Sequence, residues 1–330
     1  MRMPAEWEKH SRTWVAFPHT GYTLGESEEQ IKAAYRTWAN VANQASDFEP
    51  VGVVVHPADV KVAQQYLSKS IDLFEIEIDD AWIRDSGPTF AFDGNELVAI
   101  DWVFNGWGAQ GWAKFDQDTQ LASRLADQIG VRKVSSELTN EGGGIHVNGS
   151  GTVLLTDTVQ LGKERNPSWT KDQVEKEIHS KLGTNKAVWL KRGLTRDYED
   201  FGTKGHVDIV ACFAPDGRVL FHDQTNPSHP DYEVSLEVKK TLIEHQLQVV
   251  PITAPETLKD AEGYVDYSYI NHYVLNDAVL LCSFEDKKDK EVQAILREIY
   301  PGREIRLLDA RELFARGGGI HCITQQQPAS

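Results

Sequence analysis

The stretch ARGGGIHCITQQQP, residues 315–328, reuses a phrase already met at 139–146, TNEGGGIH. GGGIH is common to both, and only the later copy adds a cysteine, Cys322. Glycine permits unusual backbone angles and the close approach of a ligand or another chain segment. GGGIH therefore reads as an architectural element, and Cys322 as what one copy adds to it. A phrase used twice in one chain marks an internal repeat, and a repeat decides the fold.

Working outward, five segments carry helical periodicity, beginning near Ala58, Asp116, Lys171, Glu233 and Lys287, so successive starts are 54 to 62 residues apart. Apolar residues recur at i, i+3, i+4 in them, as in Leu121, Leu125 and Ile129; Val174, Ile178 and Leu182; Leu242, Ile243 and Leu247; and Val292, Ile295, Leu296 and Ile299. Thr170 and Gln173 form a predicted capping box, and Gly130 and Gly183 are predicted helix stops. After each helix comes a β-type run: LFEIEI, VRKV, KAVWL, QVVPIT and EIRLL. After each run comes a polar or glycine-rich phrase: AWIRDSGP (81–88), TNEGGGIH (139–146), GTKGHVD (202–208), YSYINHY (267–273) and ARGGGIHC (315–322). Most phrases lead into another apolar run, such as TVLLT, VDIVACF or AVLLCSF.

A unit of this size cannot cover its own apolar faces, so neighbouring units must cover one another. The expected fold class is α/β: five repeats set as blades around a central axis, with the special phrases at one end. The first 57 residues, which hold WVAFP, an amphipathic stretch from Glu28 to Gln44 and VGVVVH, complete the first blade. No low-complexity linker interrupts the chain, so one domain is expected over residues 1–330.

Hydrophobic residues make up 40% of the 330 and charged residues 25%, which fits a globular protein with a sizeable core. The net charge of −16 opposes binding to a phosphate backbone and favours a cationic ligand. Cys212, Cys282 and Cys322 are odd in number and far apart, with no zinc-finger spacing, so neither a disulfide framework nor a structural zinc site is expected. No apolar run approaches membrane-spanning length, and the start MRMPAEWEKHSRTW lacks a signal-peptide core. The expectation is a cytoplasmic protein without membrane or nucleic-acid partners. The sequence leaves oligomeric state open, a homo-oligomer included.

If the phrases meet at one axis, so do Trp82, Asp85, Glu141, His206, Asp208, the YINH stretch and Cys322. Taken singly, each has an ordinary structural explanation. A free cysteine is usually a small buried hydrophobe, and Cys212 and Cys282, in apolar runs, read that way. Arg84 could neutralise Asp85. His-x-Asp on a strand would point both side chains to one face. Taken together, a thiol and an imidazole are the minimal equipment for covalent catalysis. Carboxylates match the planar N–H donors of a guanidinium and would aim its carbon at a thiolate. A ligand set of His206, Asp208 and His321 lacks any metal-binding motif, so no metal is expected.

The phrases WIRDSGP, EGGGIHVNGSGT, GHVD, SYINHY and GGGIHCITQQQP, in this order after MPAEWEKH, resemble the agmatine deiminases, relatives of the bacterial peptidyl-arginine deiminases. The resemblance runs from Met3 to Pro328 and implies the five-bladed pentein fold. It implies that Cys322 attacks the guanidinium carbon, that Asp85 and Asp208 grip its nitrogens, and that His206 moves protons. It further implies that Glu141 orients His206 or the guanidinium, that Trp82 packs on the substrate, and that no cofactor is needed. Agmatine would yield N-carbamoylputrescine and ammonia. Where many family members have DET-NGHVD and LEGG, this chain has RDYEDFGTKGHVD and NEGG, which leaves another guanidino substrate such as arginine open. A non-catalytic, cation-binding propeller is the alternative from another class.

Overall fold

Each predicted helix forms where the apolar spacing placed it. The computed structural model describes residues 1–330. In the helix Lys171–Leu182, Val174, Ile178 and Leu182 are buried on one face. Thr170 and Gln173 close its N-terminus as a capping box, and Gly183 ends it in the left-handed conformation at φ 69°. Gly130 ends the helix Leu121–Ile129 the same way. Ile243 departs from the expected face, being 53% exposed, because Leu242 beside it already turns to the core.

The chain forms a mixed α/β fold of five small sheets. The first contains β1 (His10–Ala16), β2 (Val51–Val55) and β3 (Asp72–Glu75), all parallel. Next come β4 (Thr89–Asp93), β5 (Glu96–Val103) and β6 (Arg132–Thr139) in the second sheet, then β7 (His146–Val147), β8 (Thr152–Thr156) and β9 (Lys186–Leu190) in the third. The fourth holds β10 (Ala211–Phe213), β11 (Val219–Asp223) and β12 (Val249–Thr253), and the fifth holds β13 (Tyr273–Val274), β14 (Ala278–Ser283) and β15 (Glu304–Asp309). In each of these four sheets the first two strands are antiparallel and the second and third parallel. A helix bridges each parallel pair, as a crossover requires.

The last strand, β16 (Thr324–Pro328), returns to the first sheet and pairs antiparallel with β1, Thr13 opposite Gln326. The order β16-β1-β2 then matches the other sheets, with the helix Glu28–Ala45 as its crossover. The helix Val60–Tyr66, which the spacing counted as the first of five equivalents, instead leads to β3, a strand the other sheets lack. Two of the three glutamines of β16 have a structural part: Gln326 accepts from Arg84 Nη1 at 2.8 Å and Gln327 from Trp14 Nε1 at 2.9 Å.

Each special phrase leads from the last strand of one sheet's order to the first strand of another's. Backbone hydrogen bonding within small sheets leaves these links free to carry polar side chains inward. Cys212 and Cys282 are buried in apolar strands, as their runs suggested.

Candidate active site

The five links meet. Gly143 N donates to Asp85 Oδ1 at 3.0 Å, and Asn271 Nδ2 donates to both Asp208 O and Cys322 Sγ, each at 3.3 Å. His206 Nε2 stands 3.4 Å from Glu141 Oε2 and its Nδ1 stands 3.8 Å from Asp85 Oδ1. Cys322 Sγ lies 3.5 Å from Asp208 Oδ2. Thus Cys322, His206, Asp208, Asp85 and Glu141 share one buried centre. Trp82 reaches it edgewise. Its Nε1 donates to Thr23 at 2.9 Å, and its ring lies against Gly318, which also touches Cys322.

The glycine triplets now have a cause. None of Gly142, Gly143 and Gly144 takes a positive φ, so they serve close approach rather than unusual angles. A Cβ on Gly143 would lie 2.4 Å from His206 Nδ1 and 2.9 Å from Asp85 Oδ1. One on Gly318 would lie 2.6 Å from Trp82 and 3.0 Å from Cys322 Sγ. Only Gly317 uses glycine's freedom of angle, at φ 104°.

Two local expectations are corrected. His206 and Asp208 do not alternate along a strand; Val207–Ile209 is a turn of 3-10 helix, which still buries both side chains. Arg84 does not neutralise Asp85. It turns away to His321 O at 3.2 Å and Gln326, with Glu6 Oε2 at 3.9 Å from its Nη2. Asp85 is held instead by one donor on each oxygen, Gly143 N and Trp107 Nε1, the latter at 2.9 Å. Trp107 sits at φ 57° and ψ 40°. A left-handed backbone costs a non-glycine residue about 1–2 kcal/mol, and the indole bond to Asp85 is one return on that strain.

Residues that sequence reasoning missed supply much of the support. Arg165 Nε meets both oxygens of Glu141 at 2.9 and 3.1 Å, and its Nη2 reaches Thr203 O. Asp197 accepts from the backbone of Thr203, Gly205 and His206 and so fixes the GTKGHVD turn. His321 is bridged by Asp208 and Glu6. His321 stood in the GGGIH phrase, weighed there only as a metal ligand, and Trp107, between glycines in NGWGAQGW, carried a signal too, since a bulky residue amid glycines suggests a special turn.

The electrostatics follow from this packing. Burial alone would depress His206, but Asp85 and Glu141 outweigh it and raise the imidazole to about 9. Burial raises Asp85, and the neighbouring carboxylates add to the shift. Burial also raises Asp208 and Glu141, yet the former is held below the ordinary range by His321 and the latter by Arg165 and His206. Burial, with Asp208 and Asp85 adding, pushes the Cys322 thiol well above its ordinary value, so it rests protonated. Four carboxylates, Glu6, Asp85, Glu141 and Asp208, thus face Arg84, Arg165 and the imidazoles of His206 and His321. Three buried polar atoms of this charge set have no hydrogen-bond partner: His206 Nδ1, Asp208 Oδ1 and Arg84 Nη2.

Beside the centre opens a cavity of about 290 Å³. Gly317 and Phe201 are in its wall, with Asp197, Glu199, Asp200, Glu262 and Asp266. The one basic residue there, Arg196, is already paired with Asp260 at 2.7 Å and Glu262 at 2.8 Å.

Fold and site define a class of protein: five small α/β sheets whose links bring a thiol, an imidazole and carboxylates to one cation-compatible centre. Comparison with known proteins narrows it. The profile of the Porphyromonas-type peptidyl-arginine deiminases matches residues 2–328. A Streptomyces coelicolor protein named "Putative agmatine deiminase" is 52% identical over 99% of this chain and 98% of its own. The agmatine deiminase of Ectopseudomonas mendocina is 35% identical over 99% of this chain and 95% of its own. The solved agmatine deiminase of Enterococcus faecalis superposes with a TM-score of 0.90 at 30% identity, over 99% of this chain and 95% of that one. The chain belongs to the Porphyromonas-type peptidyl-arginine deiminase family, within the pentein superfamily that its motifs resembled.

Proposed function

We propose that this protein hydrolyses a C–N bond of a guanidino substrate, agmatine foremost, through a covalent intermediate on Cys322. The observation that carries the reading is Asp208 Oδ1, an unpartnered carboxylate oxygen in the buried centre that holds Cys322 Sγ, His206 and Asp85. A guanidinium offers five N–H donors in a plane. Asp85 and Asp208 would hold its nitrogens and present its carbon to the sulfur. Glu141, tied to Arg165, orients His206, while Trp82 walls the site.

The chemistry balances without a cofactor. The thiolate attacks the guanidinium carbon, a C–S bond forms, and a C–N bond breaks as His206 protonates the departing ammonia. Water then attacks the thiouronium carbon, its proton returns through His206, and the thiol leaves a ureido product. Agmatine and water give N-carbamoylputrescine and ammonia. The resting thiol is protonated, so the incoming cation supplies the missing push. It competes with His206 for Asp85 and adds one positive charge to a balanced set, which favours loss of the Cys322 proton. Titration of Cys322 by alkylation rate should therefore move to lower pH when a saturating, unreactive guanidinium ligand is present. An unmoved titration would count against substrate-assisted ionisation.

The acidic cavity supports agmatine over arginine. A primary ammonium suits a wall of carboxylates, whereas arginine adds a carboxylate that this wall repels. Half-buried Asp266, raised to about 7 by burial with Asp197 adding, would ionise against such a tail. The fold reading that accompanies this function is a single domain over residues 1–330, a five-bladed propeller whose inter-blade links form the site. The test is direct. Purified protein is mixed with agmatine and, separately, with arginine, and ammonia and ureido product are measured. Turnover of agmatine, faster than of arginine and abolished in Cys322→Ala, is expected. Binding without turnover would instead make the protein a cation-binding propeller.

A further inference from the structure

Asp208 Oδ2, the oxygen that Cys322 Sγ approaches at 3.5 Å, also ends a second set of buried polar groups that the reaction does not use. His321 Nδ1 is 2.8 Å from Asp208 Oδ2, and its Nε2 is 2.8 Å from Glu6 Oε2. Glu6 is anchored in turn, because its Oε1 accepts from Val274 N at 2.8 Å. The His321 backbone is also fixed, its N–H donating to Asn271 Oδ1 at 3.0 Å and its carbonyl accepting from Arg84 Nε. All three side chains are buried.

An imidazole with a carboxylate oxygen within hydrogen-bonding distance of each ring nitrogen can satisfy both only as the imidazolium. A neutral ring would aim one lone pair at an oxygen lone pair. We propose that Glu6 and His321 form a positioning relay for Asp208. Glu6 keeps His321 protonated, and His321 occupies Asp208 Oδ2, so that Oδ1 is the oxygen left for the substrate guanidinium. The inference rests on the reading of Asp208 as a guanidinium ligand and names two residues, one from the first turn of the chain, that act through it.

The relay has a definite pH direction. The groups facing the His321 ring are Glu6 from the N-terminal segment, Arg84 and His146 from two links, Asp208, His272, and the thiol of Cys212 and phenol of Tyr300 around a small void. Burial and Arg84 oppose the charge on His321, but Glu6 and Asp208 outweigh them and raise its pKa. His146 and His272 are both lowered by burial, which leaves them neutral there. The bridge is complete below the raised pKa of His321 and is lost as pH rises through it. Replacing Glu6 with glutamine keeps an acceptor but removes the charge, so the loss must move to lower pH. A nearby opposite charge shifts a pKa by about 1–3 units.

The experiment has two arms. In uniformly ¹⁵N-histidine-labelled wild-type protein, His321, assigned through His321→Gln, should show both ring nitrogens protonated at pH 7, a state lost in Glu6→Gln. In steady-state assays with agmatine, Glu6→Gln should raise KM about tenfold, the order expected when a charge-assisted hydrogen bond to a bound ligand weakens. The same variant should change kcat by less than about threefold, since Asp208 holds substrate and transition state alike. The basic limb of kcat/KM should move about one unit toward acid, and Glu6→Asp should restore much of KM. A neutral His321 in the wild type at pH 7, or a Glu6→Gln enzyme with unchanged KM and pH profile, overturns the proposal. If Glu6→Gln does not fold, the wild-type spectrum decides. That spectrum needs no turnover, so failure of deimination and failure of the relay are told apart.

Discussion

Gly143 shows how tightly one atom is specified here. A methyl group at this position would sit 2.4 Å from His206 Nδ1 and 2.9 Å from Asp85 Oδ1, inside van der Waals contact of both. The backbone of Gly143 also donates to Asp85, so it cannot retreat without losing that bond. Gly143→Ala should reduce kcat/KM for agmatine about 100-fold, the scale of a displacement near 1 Å in a reacting group. Gly111→Ala, with open space around it, should leave the rate unchanged. Equal rates in the two variants, measured as ammonia release, would show that His206 and Asp85 need no such fit. At this scale the sequence was informative about residues that the structure gathers at one centre and less so about those that hold them. Cys322, His206, Asp85, Asp208 and Glu141 stand out because each sits in an unusual phrase. Asn271 stood within the YINH stretch without being singled out, whereas Arg165 and Glu6 sit in no such phrase of glycines or polar residues, and their roles arise from contacts with residues 24 and 315 positions away.

Local elements were legible where their determinants are local. The capping box of Lys171–Leu182 is written in four residues, and the structure forms both of its hydrogen bonds. Thr170→Ala should destabilise the protein by about 1 kcal/mol. For a chain of this length that is a fall in melting temperature of about 2 °C, with kcat/KM unaffected because the helix stands outside the site. A loss of activity at constant stability would contradict this separation. Elements whose partners are distant were read less well. QQQ gave no sign of being a strand, because the pairing that makes it one comes from Arg12–Val15 at the other end of the chain. The helix Val60–Tyr66 has the right spacing and the wrong topology, since period cannot distinguish a crossover within the common three-strand pattern from one that adds a fourth strand. His206 and Asp208 were given strand alternation by an apolar run that becomes regular only at Ala211.

Across the whole molecule, the two chain ends are bound into one sheet. The strand that follows Cys322 is held by β1, and Arg84 ties the same strand to the first link. The sulfur is thus fixed by the first and last segments together, and the chain as a whole carries a net charge of −16. That charge acts at a range which local pairs do not. The screening length falls from about 30 Å in 0.01 M salt to about 8 Å in 0.15 M. The acidic cavity beside the centre would focus the resulting field on an approaching cation. Agmatine carries two positive charges at neutral pH and arginine a net one. Raising salt over this interval should therefore lower kcat/KM for agmatine several-fold, through KM and not kcat, and lower that for arginine by a smaller factor. Melting temperatures measured in the same buffers separate the effect from stability. Equal salt slopes for the two compounds would mean that the field does not reach the substrate, and that selectivity resides wholly in contacts such as Asp266. A steeper slope for agmatine that survives Asp266→Asn would place the long-range part in the charge of the fold as a whole.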